Sequence, residues 1–226
     1  MSKRGSGDEL AVPLKRRFEE HRYFAGIVAV IATLVFALIT TDVVNNGALT
    51  LADARINQWL HAHSSPGYTT FFLFISKLHE NLSVAIVTLV LSACLWSKRL
   101  RYRALFMVIA VGGGIILNVF LKLIFARARP HFEDPILTLK TFSFPSGHTT
   151  GATVFYGSLC VLVISRVRYG SVRVVAILTA FIMIALVGFS RMYLGVHYLS
   201  DVMAGVSEGV AWVALSVLIV GRMKKG

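Results

Sequence analysis

The stretch Ala104-Leu-Phe-Met-Val-Ile-Ala-Val-Gly-Gly-Gly-Ile-Ile-Leu-Asn-Val-Phe-Leu-Lys-Leu-Ile-Phe-Ala-Arg-Ala-Arg-Pro130 decides the fold class. From 104 to 126 it is apolar or glycine except at Asn118 and Lys122, and a run of about 20 apolar residues is what a helix needs to cross a bilayer. The glycines at 112, 113 and 114 lie in its middle. Small residues let membrane helices approach closely, so packing explains them without a phosphate loop. If the helix continues past the run, Asn118, Lys122 and Arg129 fall at i, i+4 and i+11 on nearly one face, and Pro130 bars further extension. Two cations then point the same way from one end.

Five more apolar runs occupy roughly 23 to 41, 70 to 96, 149 to 165, 172 to 190 and 199 to 221. With 56% hydrophobic residues and a mean hydropathy of +0.71, the 226-residue chain reads as a membrane protein. The fold expected is all-α: a six-transmembrane helical bundle over 23–221, between a basic tail at 1–22 and a basic C-terminus at 222–226. The second run is the least clean, because Lys77, His79 and Glu80 fall in its first half and mark a kink or a deep loop. Lys77 and Glu80, three apart, are expected to pair with each other.

A formal charge of +12 invites a nucleic-acid reading, which the distribution of the charges excludes. Sixteen of the 23 Lys and Arg lie in the N-terminal tail, in the loops near 98–103 and 166–173, and at the C-terminus. These are alternate loops of one side, so the positive-inside rule puts both termini in the cytoplasm. The remaining seven, Arg55, Lys77, Lys122, Arg127, Arg129, Lys140 and Arg191, fall on the outer side or at outer helix ends. Snorkelling to headgroups explains such residues where the charge bias favours them. Here they run against it, and a partner has to be sought.

Between the first two runs, Asp53, Ile56, Trp59 and Leu60 form an amphipathic pattern suited to a short outer helix at the interface. His61 and His63 are two apart, so a helix does not aim them at one ligand, and they read as solvated. Cys94 and Cys160 read as small core residues with no disulfide. The basic N-terminus followed by an apolar run resembles a signal peptide but lacks a small-residue cleavage site, and is taken as a retained helix.

Chemistry gathers at two junctions. Phe144-Pro-Ser-Gly-His148-Thr-Thr150 leads into the fourth run. A Ser146-Gly147 turn at a helix start offers free backbone N–H groups to an anion, with His148 at its mouth; Ser146 or Thr149 also reads as a plain N-cap. Ser190-Arg-Met-Tyr-Leu-Gly-Val-His-Tyr-Leu-Ser-Asp201 sets a cation, an imidazole and a carboxylate between two apolar runs, where ionisable groups are costly. His197 and Asp201, four apart, share a helical face, so the acid can orient the ring. Gly205 and Gly209 read as packing, and Glu208 as a buried acid with an unknown partner. Three cations with backbone donors suit a phosphoryl group, and two histidines suit attack and proton donation.

These residues resemble the motifs of the type 2 phosphatidic acid phosphatase family: Lys122 with six residues before Arg129-Pro130, Pro145-Ser146-Gly147-His148, and Ser190-Arg191 followed by His197 and Asp201. The resemblance implies that His197 forms a phosphohistidine, that Asp201 orients it, and that His148 is the acid for the leaving group. It further implies that Lys122, Arg129, Ser146, Gly147 and Arg191 hold the phosphate, with no metal and no cofactor. The expected partner is a lipid phosphate or pyrophosphate in the bilayer, of the undecaprenyl, phosphatidylglycerol phosphate, phosphatidic acid or lipid A kind. The site would face the extracytoplasmic side of a bacterial inner membrane. A vanadium-dependent haloperoxidase shares this site chemistry but gives no reason for six spans. A lipid transporter or scramblase would show related halves and polar groups at mid-membrane depth.

Overall fold

The computed structural model describes residues 11–223, so the first ten residues of the expected tail (1–22) and the last residues (224–226) lie outside it. Eight helices account for most of the described chain: α1 (Ala11–Val44), α2 (Ala48–Ala62), α3 (Pro66–Leu78), α4 (Asn81–Ser97), α5 (Arg101–Phe125), α6 (Gly147–Ile164), α7 (Gly170–Tyr193) and α8 (Leu199–Met223). Five of them are long and apolar enough to cross a membrane, and α3 with α4 makes a sixth span bent by 47°. The chain is an integral membrane protein. The bend falls at His79 and Glu80, where the sequence marked the kink. α1 starts at Ala11, inside the expected tail, although its apolar span begins only at Arg22.

The outward faces carry Ile27, Leu34, Leu38, Ile116, Phe120, Leu123 and Phe181, all exposed, as a lipid solvent allows. Inside, α6 is packed by α4, α5, α7 and α8, and α1 lies along α8. The largest apolar cluster of the interior holds Val84, Phe106, Met107, Ala110, Val111, Val154 and Val213. Gly113 admits the Trp212 ring there, since a Cβ would stand 2.4 Å from it; Trp212 Nε1 donates to Ile109 O at 3.0 Å.

Elsewhere the interior holds a polar cluster between smaller apolar ones. Asn118, Ser146, Thr149, Thr150, Arg191, His197, Ser200, Asp201 and Glu208 are all buried where the C-terminal ends of α5 and α7 meet the N-terminal ends of α6 and α8. Gly205 sets how close α8 comes to α6, since a Cβ there would lie 2.8 Å from the backbone oxygen of Ser146. Small-residue packing at this position was the sequence expectation. Phe144, fully buried against Phe36 and Phe125, anchors the segment entering α6.

Three local expectations are corrected. α5 stops at Phe125 with Ala126 left-handed (φ 46°), so Arg129 is not on the helical face of Asn118 and Lys122. Lys77 and Glu80 are both exposed and form no ion pair among the described residues; the inward-facing member of that turn is His79, bonded to Tyr156 Oη at 2.8 Å. Cys94 lies on the exposed surface rather than in the core, though both cysteines are free as expected.

Candidate active site

His197 sits in the short turn between α7 and α8, closed by Gly195 in the left-handed region (φ 69°) that a side chain rarely adopts. Asp201, in the first turn of α8, accepts from Tyr198 N at 2.9 Å and lies 3.3 Å from His197 Nδ1 through the same Oδ2. The other ring nitrogen, Nε2, is 3.2 Å from Arg129 Nη1. A guanidinium can only donate, so Nε2 is the acceptor and Nδ1 carries the proton toward Asp201. The Nε2 lone pair is thereby directed toward the cations. Burial holds the imidazole well below its ordinary 6.5, and Lys122, Arg129 and Arg191 push it the same way.

Arg129 reaches the ring through the loop rather than along a helix. Its guanidinium is held by Val196 O (2.6 Å), Thr141 O (2.6 Å), Thr141 Oγ1 (2.8 Å) and Phe142 O (3.0 Å). Lys122 Nζ donates to Phe142 O at 2.7 Å and Ser143 O at 3.2 Å. Both cations thus clamp the loop that leads into Ser146. Arg191, 1% exposed, donates through Nη1 to Ser76 Oγ, while its Nε and Nη2 have no partner. A buried guanidinium with two unused donors costs several kcal/mol unless an anion completes it.

Ser146 N donates to Asp201 O at 3.0 Å, tying the start of α6 to the start of α8. Ser146 Oγ accepts from Thr149 Oγ1 at 3.0 Å, and no side-chain cap bonds the first turn. The amides there have no intrahelical acceptor and remain available, as at any helix start. His148 is half-buried, and the ionisable side chains around it are Arg191, Arg129, His197 and His79. All eight residues expected at the site therefore come together at one end of the bundle.

Sequence reasoning missed the residues behind Asp201. Arg127 donates from Nη1 to Asp201 Oδ1 at 2.6 Å and from Nη2 to Asp53 Oδ2 at 3.0 Å. It also stacks over the Tyr198 ring at 4.3 Å. Burial alone would lower the Arg127 pKa, but the two carboxylates raise it above its ordinary value. Asp53 is 1% exposed on the inner face of α2, beside Asn57 and Leu60, and Asn57 Nδ2 donates to His197 O at 3.3 Å. An acid and an amide on one helical stripe with a buried leucine were the available signal. His61 is not merely solvated: it pairs with Asp134 at 3.0 Å and stacks on Phe132. The partners of Glu208 are now named, since its Oε2 accepts from Asn118 Nδ2 and Thr150 Oγ1, each at 2.9 Å.

A sequence model of the PAP2 superfamily matches residues 101–225. Phosphatidylglycerophosphatase B of Bacillus subtilis (strain 168) is 28% identical over 181 residues, covering 80% of this chain and 89% of that protein. Undecaprenyl-diphosphatase of Sulfolobus acidocaldarius is 28% identical over 160 residues, 68% of this chain and 72% of the relative. Lipid A 1-phosphatase of Rhizobium johnstonii is 38% identical over 120 residues, but that match spans only 44% of the relative and 49% of this chain. In fold, the chain resembles the crystal structure of a transmembrane PAP2 type phosphatidylglycerolphosphate phosphatase from Bacillus subtilis, with a TM-score of 0.71 at 24% identity over 90% of this chain and 96% of that one. The matched region takes in α5 to α8, with every site residue expected from the sequence, and the chain belongs to the PAP2 superfamily.

Proposed function

We propose that this chain is a membrane phosphatase that removes phosphate from a lipid phosphate or pyrophosphate through a phosphohistidine. The observation that carries the reading is an acceptor nitrogen, His197 Nε2, turned toward Arg129 in a cluster of cations that includes the unpartnered donors of Arg191. The family's curated relatives, named as phosphatases of phosphatidylglycerophosphate, lipid A and undecaprenyl diphosphate, agree with it.

In the first step His197 Nε2 attacks phosphorus and the bond from phosphorus to the lipid oxygen breaks. Lys122, Arg129, Arg191 and the Gly147 and His148 amides bear the charge on the transferring oxygens. His148 gives its proton to the leaving oxygen. His197 keeps its Nδ1 proton, and Asp201 balances the positive charge on the phosphorylated ring. In the second step His148 takes a proton from water, the hydroxyl attacks phosphorus, and the N–P bond breaks to restore neutral His197 with release of inorganic phosphate. Because the site lies where the chain's cations oppose the positive-inside bias, the lipid phosphate is bound from the extracytoplasmic leaflet.

The test is phosphate release from a panel of purified lipid phosphates in detergent, with trapping of labelled phosphoenzyme. His197→Ala should release no phosphate and trap no label, whereas His148→Ala should be slow but still take up label. Phosphate release by folded His197→Ala at the wild-type rate would sink the mechanism. For orientation, a cysteine replacing Asp134, which is almost fully exposed, should react with an impermeant thiol reagent on intact cells; reaction only after lysis reverses the orientation.

A further inference from the structure

Asp201 faces a conflict of charge. It accepts from Arg127 at 2.6 Å, so a guanidinium neutralises the carboxylate that is meant to serve His197. The other charged groups around the imidazole, Lys122, Arg129 and Arg191, are all cationic. In the reaction proposed above, attack by Nε2 leaves the ring positive, with the Nδ1 proton retained. A neutral Arg127–Asp201 pair behind that ring would give it no counter-charge.

Asp53 removes the conflict. Its Oδ2 accepts from Arg127 Nη2 at 3.0 Å and its Oδ1 from Ser200 N at 3.0 Å. Ser200 Oγ donates to Asp53 Oδ2 and accepts from Arg127 Nη1 at 2.7 Å. Asp53 and Ser200 are both essentially inaccessible, so neither water nor salt replaces the charge. Asp53, Arg127 and Asp201 together carry one net negative charge, delivered to the ring through Asp201 Oδ2 at 3.3 Å. The acid comes from α2, a helix outside the region matched by the family's sequence model.

We propose that Asp53 is a positioning residue for the phosphoryl transfer, which restores the negative charge that Arg127 withdraws from Asp201 and locks the carboxylate against His197. The proposal rests on the phosphohistidine reading but makes a claim of its own. The charge behind the ring, and not the presence of Asp53 as such, sets the rate. Removing both Asp53 and Arg127 therefore repairs what removing Asp53 breaks.

The experiment compares wild type, Asp53→Asn and the double variant Asp53→Asn/Arg127→Gln, using phosphatidic acid in detergent micelles and isotope-labelled histidine for NMR. Asp53→Asn should lower kcat by about 10- to 100-fold with KM little changed, the cost usual for a group that orients a reactive residue without touching substrate. The double variant should recover at least tenfold of that loss. The His197 resonance should titrate at lower pH in Asp53→Asn and return in the double variant, a readout that does not need turnover. Wild-type kcat in Asp53→Asn overturns the proposal, as does a folded double variant no faster than the single one. If Asp53→Asn does not fold, the double variant alone decides, since it must stay within about tenfold of wild type. Activity surviving in His197→Ala, with the His197 titration still moving as described in the other variants, would instead remove the phosphohistidine reading and leave the electrostatic coupling standing.

Discussion

Gly205→Ala would test whether the spacing between α6 and α8 is part of the site. A Cβ at 205 stands 2.8 Å from Ser146 O, 3.1 Å from Thr150 Oγ1 and 3.2 Å from Thr149 Cβ, where ordinary contact begins at 3.4 Å. The deficit of about 0.6 Å falls on a backbone oxygen, which cannot rotate away as a side chain can. The start of α6 must move from α8, and the bond from Ser146 N to Asp201 O, 3.0 Å in the native protein, lengthens with it. Overpacking of this kind costs about 1–3 kcal/mol, and the better helix propensity of alanine returns up to about 1 kcal/mol. Stability is therefore expected to fall by about 0–3 kcal/mol, with the protein still folded. The catalytic penalty is larger in proportion. A misplacement of 1 Å costs about 10²-fold, so a shift of some 0.6 Å should lower kcat by about 10- to 20-fold. Phosphate release and thermal unfolding of the purified variant give both numbers, with Gly112→Ala as control because a Cβ at 112 meets nothing within 4 Å. Wild-type kcat in Gly205→Ala, or an equal loss in Gly112→Ala, would refute the reasoning.

Four further outcomes follow from the site. Because the folded protein keeps His197 neutral below its ordinary 6.5, the acid limb of kcat/KM assigned to this residue should lie below that value; a limb at or above it contradicts the environment described. The unfolded chain takes up this proton near pH 6.5 and the native state does not, so stability should fall as pH drops below that value and level off above it. Glu208→Gln keeps an oxygen for Asn118 and Thr150 and should unfold close to the wild-type temperature, whereas Glu208→Leu removes the shorter acceptor of both, leaving the longer contacts to each other, Pro145 O and Gly205 O, and should lose about 1–3 kcal/mol; equal melting of the two variants would reject the network. Arg191→Lys should raise KM for the phosphate substrate nearly as much as Arg191→Gln, because one ammonium cannot replace the two unused donors of the guanidinium. Full rescue by lysine would argue against a two-donor contact.

Helices that cross a membrane are nearly one-dimensional objects. Their apolar length is set residue by residue, and so the spans read at 104–126 and 199–221 match α5 and α8 closely. The break at His79 and Glu80 was legible for the same reason, since polar residues interrupt an otherwise apolar run. Lys77 and Glu80 show the limit of spacing. Three apart, they suit a pair, yet the bend begins between them and leaves both exposed. Arg129 shows it in the other direction, reaching His197 through a loop once the helix has ended at Phe125.

What the sequence by itself determined was the set of spans, the end of the bundle at which polar residues collect, and the eight groups suited to a phosphoryl ligand. Apolar length and local chemistry are written in consecutive residues. Only the tertiary structure decided where the outer cations turn, and that Arg127 is taken up by buried carboxylates. Arg127 and Arg129 stand two apart in one loop, but one turns to Asp53 and Asp201 and the other to His197 Nε2. That division depends on α2 lying against the start of α8, 147 residues away along the chain between Asp53 and Ser200. A contact over such a distance leaves no periodic trace, because burial and charge balance are properties of the packed helices and not of either segment alone.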